Sequence, residues 1–282
     1  MAVFLSIITG LILLYLLAIM PRMTHKPDRA SFQGVLYAHR GLHDNETDAP
    51  ENSMKAFQKA VENGYGIELD VQLTKDRVPV VFHDFTLKRV CGAEGKVCDY
   101  TYAELERFTL CGSEERIPRF EDFLRLVDGK VPLIIELKVE WMNIAVCGLA
   151  DELLKSYKGV YCIESFNPLA LIWYRKNHKD VMRGQLSDAF LKEEGMKGIL
   201  YFLLEHLLLN GVTKPDFIAY NHKYYRSLSR QLCRKLYRNL AVAWTIRSQE
   251  ELEEGRKHFD LFIFDSFIPE KEEGIERGEK SV

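Results

Sequence analysis

What this chain of 282 residues lacks narrows its class. Its six cysteines (Cys91, Cys98, Cys111, Cys147, Cys162 and Cys233) include no CxxC pair. In a domain of this size such scattered cysteines read as reduced thiols, and a disulfide framework or a cysteine zinc site is set aside. No glycine-rich phosphate loop is present, which argues against an open doubly wound sheet. Neither sign of charge dominates: 38 Lys and Arg stand against 41 Asp and Glu, a net charge of −3. Nucleic acid is therefore not an expected partner.

What is present begins with AVFLSIITGLILLYLLAIM, an uncharged run over residues 2–20. Its length is about the ~20 residues a helix needs to cross a bilayer. No charged side chain precedes it, and IMPRM offers no small-x-small cleavage site. It reads as an uncleaved transmembrane anchor over residues 1–21, its partner the membrane, rather than a signal peptide. Arg22, Lys26 and Arg29 follow directly, and the positive-inside tendency places the following domain in the cytoplasm. A polar linker over 22–33, a folded domain over 34–270 and a polar tail over 271–282 complete the expected organisation.

Within the domain, short apolar runs alternate with helical patterns. Strands are expected at 35–39, 66–73, 78–83, 131–138, 159–166, 182–187, 216–220, 240–246 and 260–265. NSMKAFQKAVENG is the clearest helix, with Met54, Phe57, Ala60 and Val61 on one stripe. Near-continuous apolar strands separated by helices imply a parallel sheet covered on both faces. The TKDR connection between the second and third strands is too short for a parallel crossover. Those two form a hairpin, and the remaining eight fit a (β/α)8 barrel. Residues 85–118 have weak strand character and read as an insertion, either a lid or rim over the barrel mouth or a plain surface excursion.

GYGIELDVQLTKDRVPVVFHD, residues 64–84, puts charge where a buried strand should have none. Glu68 and Asp70 are two apart and share a face. With a turn centred on Lys75-Asp76, Asp70 faces Val81 and Glu68 faces His83. The first strand ends in His39 and Arg40. VPLIIELK ends in Glu136 and Lys138, again on one face. All these polar groups fall near strand C-terminal ends, where barrel enzymes place their sites. Glu68, Asp70 and Glu136 make an oxygen-only set suited to Mg²⁺ or Ca²⁺. His39 and His83 can divide general acid and base roles. Arg40 and Lys138 suit an anion such as phosphate. Each residue alone has a bland reading, a structural ion pair or a satisfied core histidine. Together they describe phosphoryl transfer from a phosphate ester.

The segments HRG (39–41), PENS (50–53), ELDVQLTKD (68–76), VVFHD (80–84) and IELK (135–138), with SFN (165–167) and AWT (243–245) more weakly, resemble the glycerophosphodiester phosphodiesterase family. The resemblance covers about residues 35–268. It implies a TIM barrel with a small insertion after the second strand, preceded here by the transmembrane helix. It implies His39 and His83 as the acid/base pair, Glu68, Asp70 and Glu136 as ligands of one divalent cation, and Arg40 and Lys138 as phosphate contacts. Asn52, Phe166 and Trp244 would line the substrate pocket. The implied reaction converts a glycerophosphodiester and water to sn-glycerol 3-phosphate and an alcohol. Two departures stand out: Ser53 where the family often has Thr, and Ile246-Arg247 after AWT where many relatives show Val-Asn. Arg247 would alter the rim or add a cation for a larger anionic substrate.

Two other functions compete. One keeps the chemistry but takes lysophospholipids at the membrane, motivated by the anchor and by GILYFLLEHLLLNG (198–211), a membrane-facing helix or an ordinary barrel helix. The other is a non-catalytic barrel that binds a phosphodiester or a protein.

Overall fold

Each of the nine apolar segments forms a strand: β1 (Leu36–His39), β2 (Gly66–Leu73), β3 (Pro79–Val81), β4 (Leu133–Leu137), β5 (Tyr161–Ser165), β6 (Arg183–Ser187), β7 (Phe217–Asn221), β8 (Leu240–Ile246) and β9 (Leu261–Phe264). This is a computed structural model that describes residues 1–192 and 196–270. The expected polar tail, 271–282, lies outside the described residues. Eight strands are parallel and close through β1–β2 pairing into the expected (β/α)8 barrel. β3 stands outside the ring, antiparallel to β2. β2 serves both partners because it is long: Gly66, Ile67 and Glu68 pair with β1, and Val71, Gln72 and Leu73 with β3.

The helices are α1 (Ala2–Ile19), α2 (Met54–Glu62), α3 (Lys88–Cys91), α4 (Tyr102–Leu105), α5 (Phe120–Val127), α6 (Ala145–Leu154), α7 (Pro168–Asn177), α8 (Ile199–Glu205), α9 (Asn210–Thr213), α10 (Leu228–Lys235) and α11 (Gln249–Arg256). Ser53 caps α2 by accepting from the Ala56 N–H at 3.1 Å, so its hydroxyl keeps the role that Thr would have.

The hairpin register differs from the expected one. Val71 faces Val81 and Gln72 faces Val80. Asp70 therefore lies opposite Phe82, whose N–H donates to the Asp70 carbonyl at 3.0 Å. It does not face Val81, and Glu68 does not face His83 across the ladder. The cause is the turn. The Thr74 N–H reaches the Val78 carbonyl at 3.1 Å, the Arg77 N–H reaches the Thr74 carbonyl at 3.0 Å, and Arg77 has φ 64°. Three residues, Lys75 to Arg77, close the loop where two were expected, the last in the left-handed region. One extra residue flips the parity of everything beyond it. His83 escapes the consequence because β3 has already ended at Val81.

Strand alternation divides the core in two. Ile67, Leu69, Leu133, Ile135 and Ile163 pack outward against Phe57, Phe120 and Phe123 of the helices. Tyr37, Ile134, Cys162, Phe217, Leu240, Val242 and Ile263 form the second cluster, inside the barrel. Glycine makes that floor possible. A Cβ on Gly66 would lie 2.6 Å from the Tyr37 ring, and one on Gly184 2.0 Å from the Phe217 ring. Two residues further along the same inward columns come His39, Glu68, Glu136, Glu164, Trp244 and Asp265. The apolar floor thus supports a polar layer at the C-terminal end of the strands.

The insertion has its own small core, Leu87, Val90, Val97, Leu105, Leu110 and Ile117 with Val80 and Phe82. That gives it a set shape against the barrel. The run over 198–211 splits into α8 and the start of α9. Leu204 and Leu207 turn inward, while Ile199 and Leu200 are 73% and 52% exposed.

Helix α1 is long and apolar enough to cross a membrane. Its first thirteen residues are exposed, and its last turn docks on the barrel. Ile19 is fully buried, and its carbonyl accepts from Asn210 Nδ2 and Cys233 Sγ, both at 3.3 Å. Tyr237 Oη donates to the Leu16 carbonyl at 2.9 Å, and Tyr15 Oη lies 2.9 Å from Ser229 Oγ. Arg22 then pairs with Asp216 at 3.4 Å.

Candidate active site

His39 closes β1, and the next residue, Arg40, has φ 55°. That turn carries the chain across the barrel mouth. The His39 ring is held by the residue that follows β9: its Nδ1 lies 3.2 Å from Asp265 Oδ2. The other oxygen of Asp265 lies 3.2 Å from His43 Nε2. His39 Nε2 is the ring nitrogen left toward the cluster, 3.9 Å from Glu68 Oε2. Burial, helped by the Arg40 charge and opposed by Asp265, pulls the His39 pKa down to about 4. The imidazole is therefore neutral at pH 7.

Four carboxylates are buried in the polar layer. Glu68, Asp70, Glu136 and Glu164 are each no more than 6% exposed. Glu68 Oε2 accepts the Arg40 backbone N–H at 3.1 Å. Asp70 Oδ2 accepts from Asn52 Nδ2 at 3.0 Å and lies 3.5 Å from Arg40 Nε. Lys138 Nζ bridges Glu136 Oε1 at 2.9 Å and Asp70 Oδ1 at 3.4 Å. Glu164 stands beside Glu136 in the β4–β5 ladder. Burial and then mutual repulsion push Glu68 and Glu164 well up from the ordinary carboxylate range. Burial raises Glu136 too, against the pull of Lys138. Asp70 is the exception: burial opposes ionisation, yet His83, Lys138 and Arg40 together hold its pKa far down.

This layer has more anionic groups than its cations satisfy. Glu164 Oε2 is a buried acceptor with no hydrogen bond, and Asp70 Oδ1 has only Lys138 at 3.4 Å. Such groups are costly unless something positive meets them. Donor atoms of Asp70, His83 and Glu136 lie within 4.8 Å of one another, as do those of His39, His43 and Asp265. The carboxylate oxygens of Asp70 and Glu136 in the first group fit a hard divalent cation. Glu68 is not in that group; its nearest contacts are Arg40 and His39.

His83 sits just past β3, its Nδ1 2.6 Å from Asp84 Oδ1. Asp84 also accepts from Arg89 of α3, at 2.7 Å from Nε and 2.9 Å from Nη2. Arg89 forks onward to Glu51 at 2.6 and 2.8 Å, and Glu51 accepts from Arg40 Nη1 at 2.7 Å. The insertion thereby ties the loop carrying His83 to the loop carrying Arg40. Burial raises the Glu51 pKa, but hydrogen bonds from Arg89 and the Arg40 charge outweigh it and set it at about 2. A depressed folded-state value contributes stability above the unfolded value and loses it as pH falls through the folded one. Glu51→Gln is thus expected to destabilise the protein by about 2–3 kcal/mol at pH 7. The gap should narrow from pH 5 to pH 3 in urea melts; a gap independent of pH would contradict the network.

Aromatic rings wall the other side. Phe166 meets Trp244 edge-on at 5.7 Å and Phe190 at 5.8 Å. Trp244 Nε1 is buried with no hydrogen-bond partner. Asn52 is 1% exposed and gives its amide to Asp70, so it supports the cluster from behind. Arg247 lies at the rim, 57% exposed, with Nη2 3.7 Å from Asp265 Oδ2.

All seven polar residues singled out in the sequence converge here. The residues that hold them were less visible. Glu164 and Asp265 carry the signal of Glu68, a carboxylate at an inward position of an apolar strand. Asp84 follows His83 directly. His43, Glu51 and Arg89 lie in loops, where no periodicity announces a contact.

The sequence profile of the glycerophosphoryl diester phosphodiesterase family matches residues 39–260. The chain belongs to this family. A glycerophosphodiester phosphodiesterase of Caldanaerobacter subterraneus subsp. tengcongensis is 33% identical over 171 residues, 56% of this chain and 69% of that protein. One from Bacillus altitudinis is 43% identical over 112 residues, 37% of this chain and 44% of that protein. The match therefore spans two thirds of one relative and less than half of the other. In fold, the chain is similar to an Oleispira antarctica phosphodiesterase solved with its product sn-glycerol-3-phosphate. That likeness has a TM-score of 0.67 and 23% identity, over 83% of this chain and 94% of that one.

Proposed function

We propose that this chain hydrolyses glycerophosphodiesters to sn-glycerol 3-phosphate and an alcohol, with one divalent cation at its carboxylate cluster. The observation that carries the reading is the pair of histidines at the edges of that cluster. Each has its Nδ1 held by a carboxylate, Asp265 for His39 and Asp84 for His83. Each keeps Nε2 for the substrate. Family membership supports the same reaction.

Glu136 and Asp70, with Glu68 nearby, would hold the cation, Mg²⁺ or Ca²⁺. Bound there, it would neutralise the phosphate and lower the pKa of an oxygen it touches. Arg40 and Lys138 supply further positive charge for the phosphate, and Asn52 orients Asp70. His39 is half-buried and neutral, and accepts the proton of the glycerol 2-hydroxyl as that oxygen attacks phosphorus. His83, at the more open side with 32% of its side chain exposed, gives a proton to the departing alcohol oxygen. The P–O bond to the alcohol breaks as the bond to the 2-oxygen forms, leaving a cyclic phosphate. Water then opens the ring with the two roles exchanged, giving glycerol 3-phosphate. Phe166 and Trp244 wall the pocket, and the free Trp244 N–H is a donor for a substrate oxygen.

The 2-deoxy analogue of glycerophosphocholine tests this route. It should bind competitively and release no choline, because it has no internal nucleophile. Turnover within tenfold of the parent substrate would show direct attack by water instead.

We further read α1 as an uncleaved anchor with the barrel on the cytoplasmic side. The buried Ile19 and the hydrogen bonds at its carbonyl support it, because cleavage within the last turn would strip part of the domain core.

A further inference from the structure

Beside the root of α1 lies a groove of about 610 Å³ that the hydrolytic reaction does not use. Tyr15 of α1, Lys192 after β6, Lys223, Tyr224 and Arg226 between β7 and α10, and Ser229 of α10 line it. Lys192 Nζ rests 4.2 Å over the Tyr224 ring. Arg226 donates to Tyr225 Oη at 3.0 Å. Among the described residues none of these three cations has a carboxylate partner. The one acid lining the groove among the described residues, Glu205, accepts the Leu191 N–H at 2.8 Å. The groove therefore offers net positive charge and hydroxyls to an anion.

A second observation tells where that anion comes from. The helices around the root of α1 turn large apolar side chains outward. Ile199 and Phe202 of α8 are 73% and 41% exposed, Val212 of α9 53% and Leu228 of α10 66%. Gly211, next to Val212, packs so closely on α1 that a Cβ there would lie 2.7 Å from the Leu17 carbonyl oxygen. Ser229, next to Leu228, meets Tyr15. An apolar collar around an apolar helix, with tyrosines and cations at one level, is the pattern of a surface seated in a bilayer interface. In water the same collar would be an unexplained exposed patch.

We propose that this face of the barrel rests on the bilayer and that the groove holds the phosphate of an anionic phospholipid, its chains lying along α1 and α8. The charge complementarity is the attraction of Lys and Arg for anionic lipid headgroups. Interfacial tyrosine hydroxyls add hydrogen bonds to the same phosphate. The proposal rests on the reading of α1 as an anchor and is independent of the catalytic assignment.

The test uses the full chain in uncharged detergent, stripped of lipid and divalent metal. Its Tm is followed as short-chain phosphatidylglycerol, phosphatidylcholine or inorganic phosphate is added. Phosphatidylglycerol should raise Tm by at least about 3 °C near saturation, as a ligand of the native state does, and phosphatidylcholine should not. The free glycerol headgroup of phosphatidylglycerol would also suit the catalytic cluster, so the groove substitutions are what assign the shift to the groove. Lys192→Gln combined with Lys223→Gln and Arg226→Gln should abolish the shift. The three side chains are exposed, so hydrolysis of soluble glycerophosphocholine, assayed after Mg²⁺ or Ca²⁺ is restored, should persist and report a folded protein. His39→Ala should keep the shift while losing hydrolysis. Equal shifts for the two lipids, or a shift that survives the triple substitution, would overturn the proposal. An equal shift with inorganic phosphate would reassign the groove to a free anion. A parent protein that shows the lipid shift but hydrolyses nothing once Mg²⁺ or Ca²⁺ is restored would sink the catalytic reading alone.

Discussion

His39→Ala and His83→Ala each lower kcat on glycerophosphocholine by about 10²–10⁴-fold, the range for loss of one general acid or base. KM changes little, because neither imidazole carries the charge that holds the phosphate. The two effects do not multiply: the double variant falls only slightly below the worse single one, since the residues act on one transition state. Asp265→Asn gives an intermediate loss. It leaves His39 in place but weakens the acceptor that fixes Nδ1, 3.2 Å away. Steady-state kinetics with a thermal melt of each variant checks this. A folded His39→Ala protein that keeps more than a tenth of wild-type kcat would remove His39 from the chemistry.

The second large effect concerns the cation. Chelation is expected to abolish turnover, and added Mg²⁺ or Ca²⁺ to restore it. Asp70→Asn or Glu136→Gln should raise the half-activating concentration by at least about tenfold, since each removes a charged oxygen from the set. The same cluster makes a prediction about stability. Burial and repulsion hold Glu164 protonated well beyond the ordinary range, and a raised folded-state value for an acid costs stability once the pH exceeds the unfolded value. Glu164→Gln should therefore raise the Tm of the metal-free protein at pH 7. It should also shrink the rise in Tm that the cation causes, because part of that rise is relief of this repulsion. A variant that melts earlier without metal would show that the Glu164 carboxylate is satisfied after all.

Much of this architecture was legible because buried parallel strands read plainly. Runs such as LIIEL and LFIF have few other homes, and a carboxylate inside one stands out against its neighbours. The parity that puts Glu68 on the inner face of β2 also puts Glu164 there on β5, beneath Phe166. The rule was available for CIES as it was for IELD. The hairpin register was not legible, because it hangs on whether Arg77 adopts a left-handed conformation, which a β-turn pattern does not reveal. The clamp from Arg89 to Glu51 and Asp84 depends on how the insertion folds back, a tertiary fact about a stretch without periodicity. The docked root of α1 was equally hidden. Hydropathy marks a helix that can span a bilayer, and says nothing of Ile19 entering the barrel core.

The central claim is that the carboxylate cluster and its two flanking histidines form a metal-dependent phosphodiesterase site. Its most direct test is the release of sn-glycerol 3-phosphate from glycerophosphocholine by the full-length protein in detergent, first stripped of metal and then titrated with Mg²⁺ or Ca²⁺. The account predicts no release without metal, saturable release with one of the two ions, and release at least about a hundredfold slower at every metal concentration from the His39→Ala protein. Release that is indifferent to chelation, or equal in the His39→Ala protein, would contradict it.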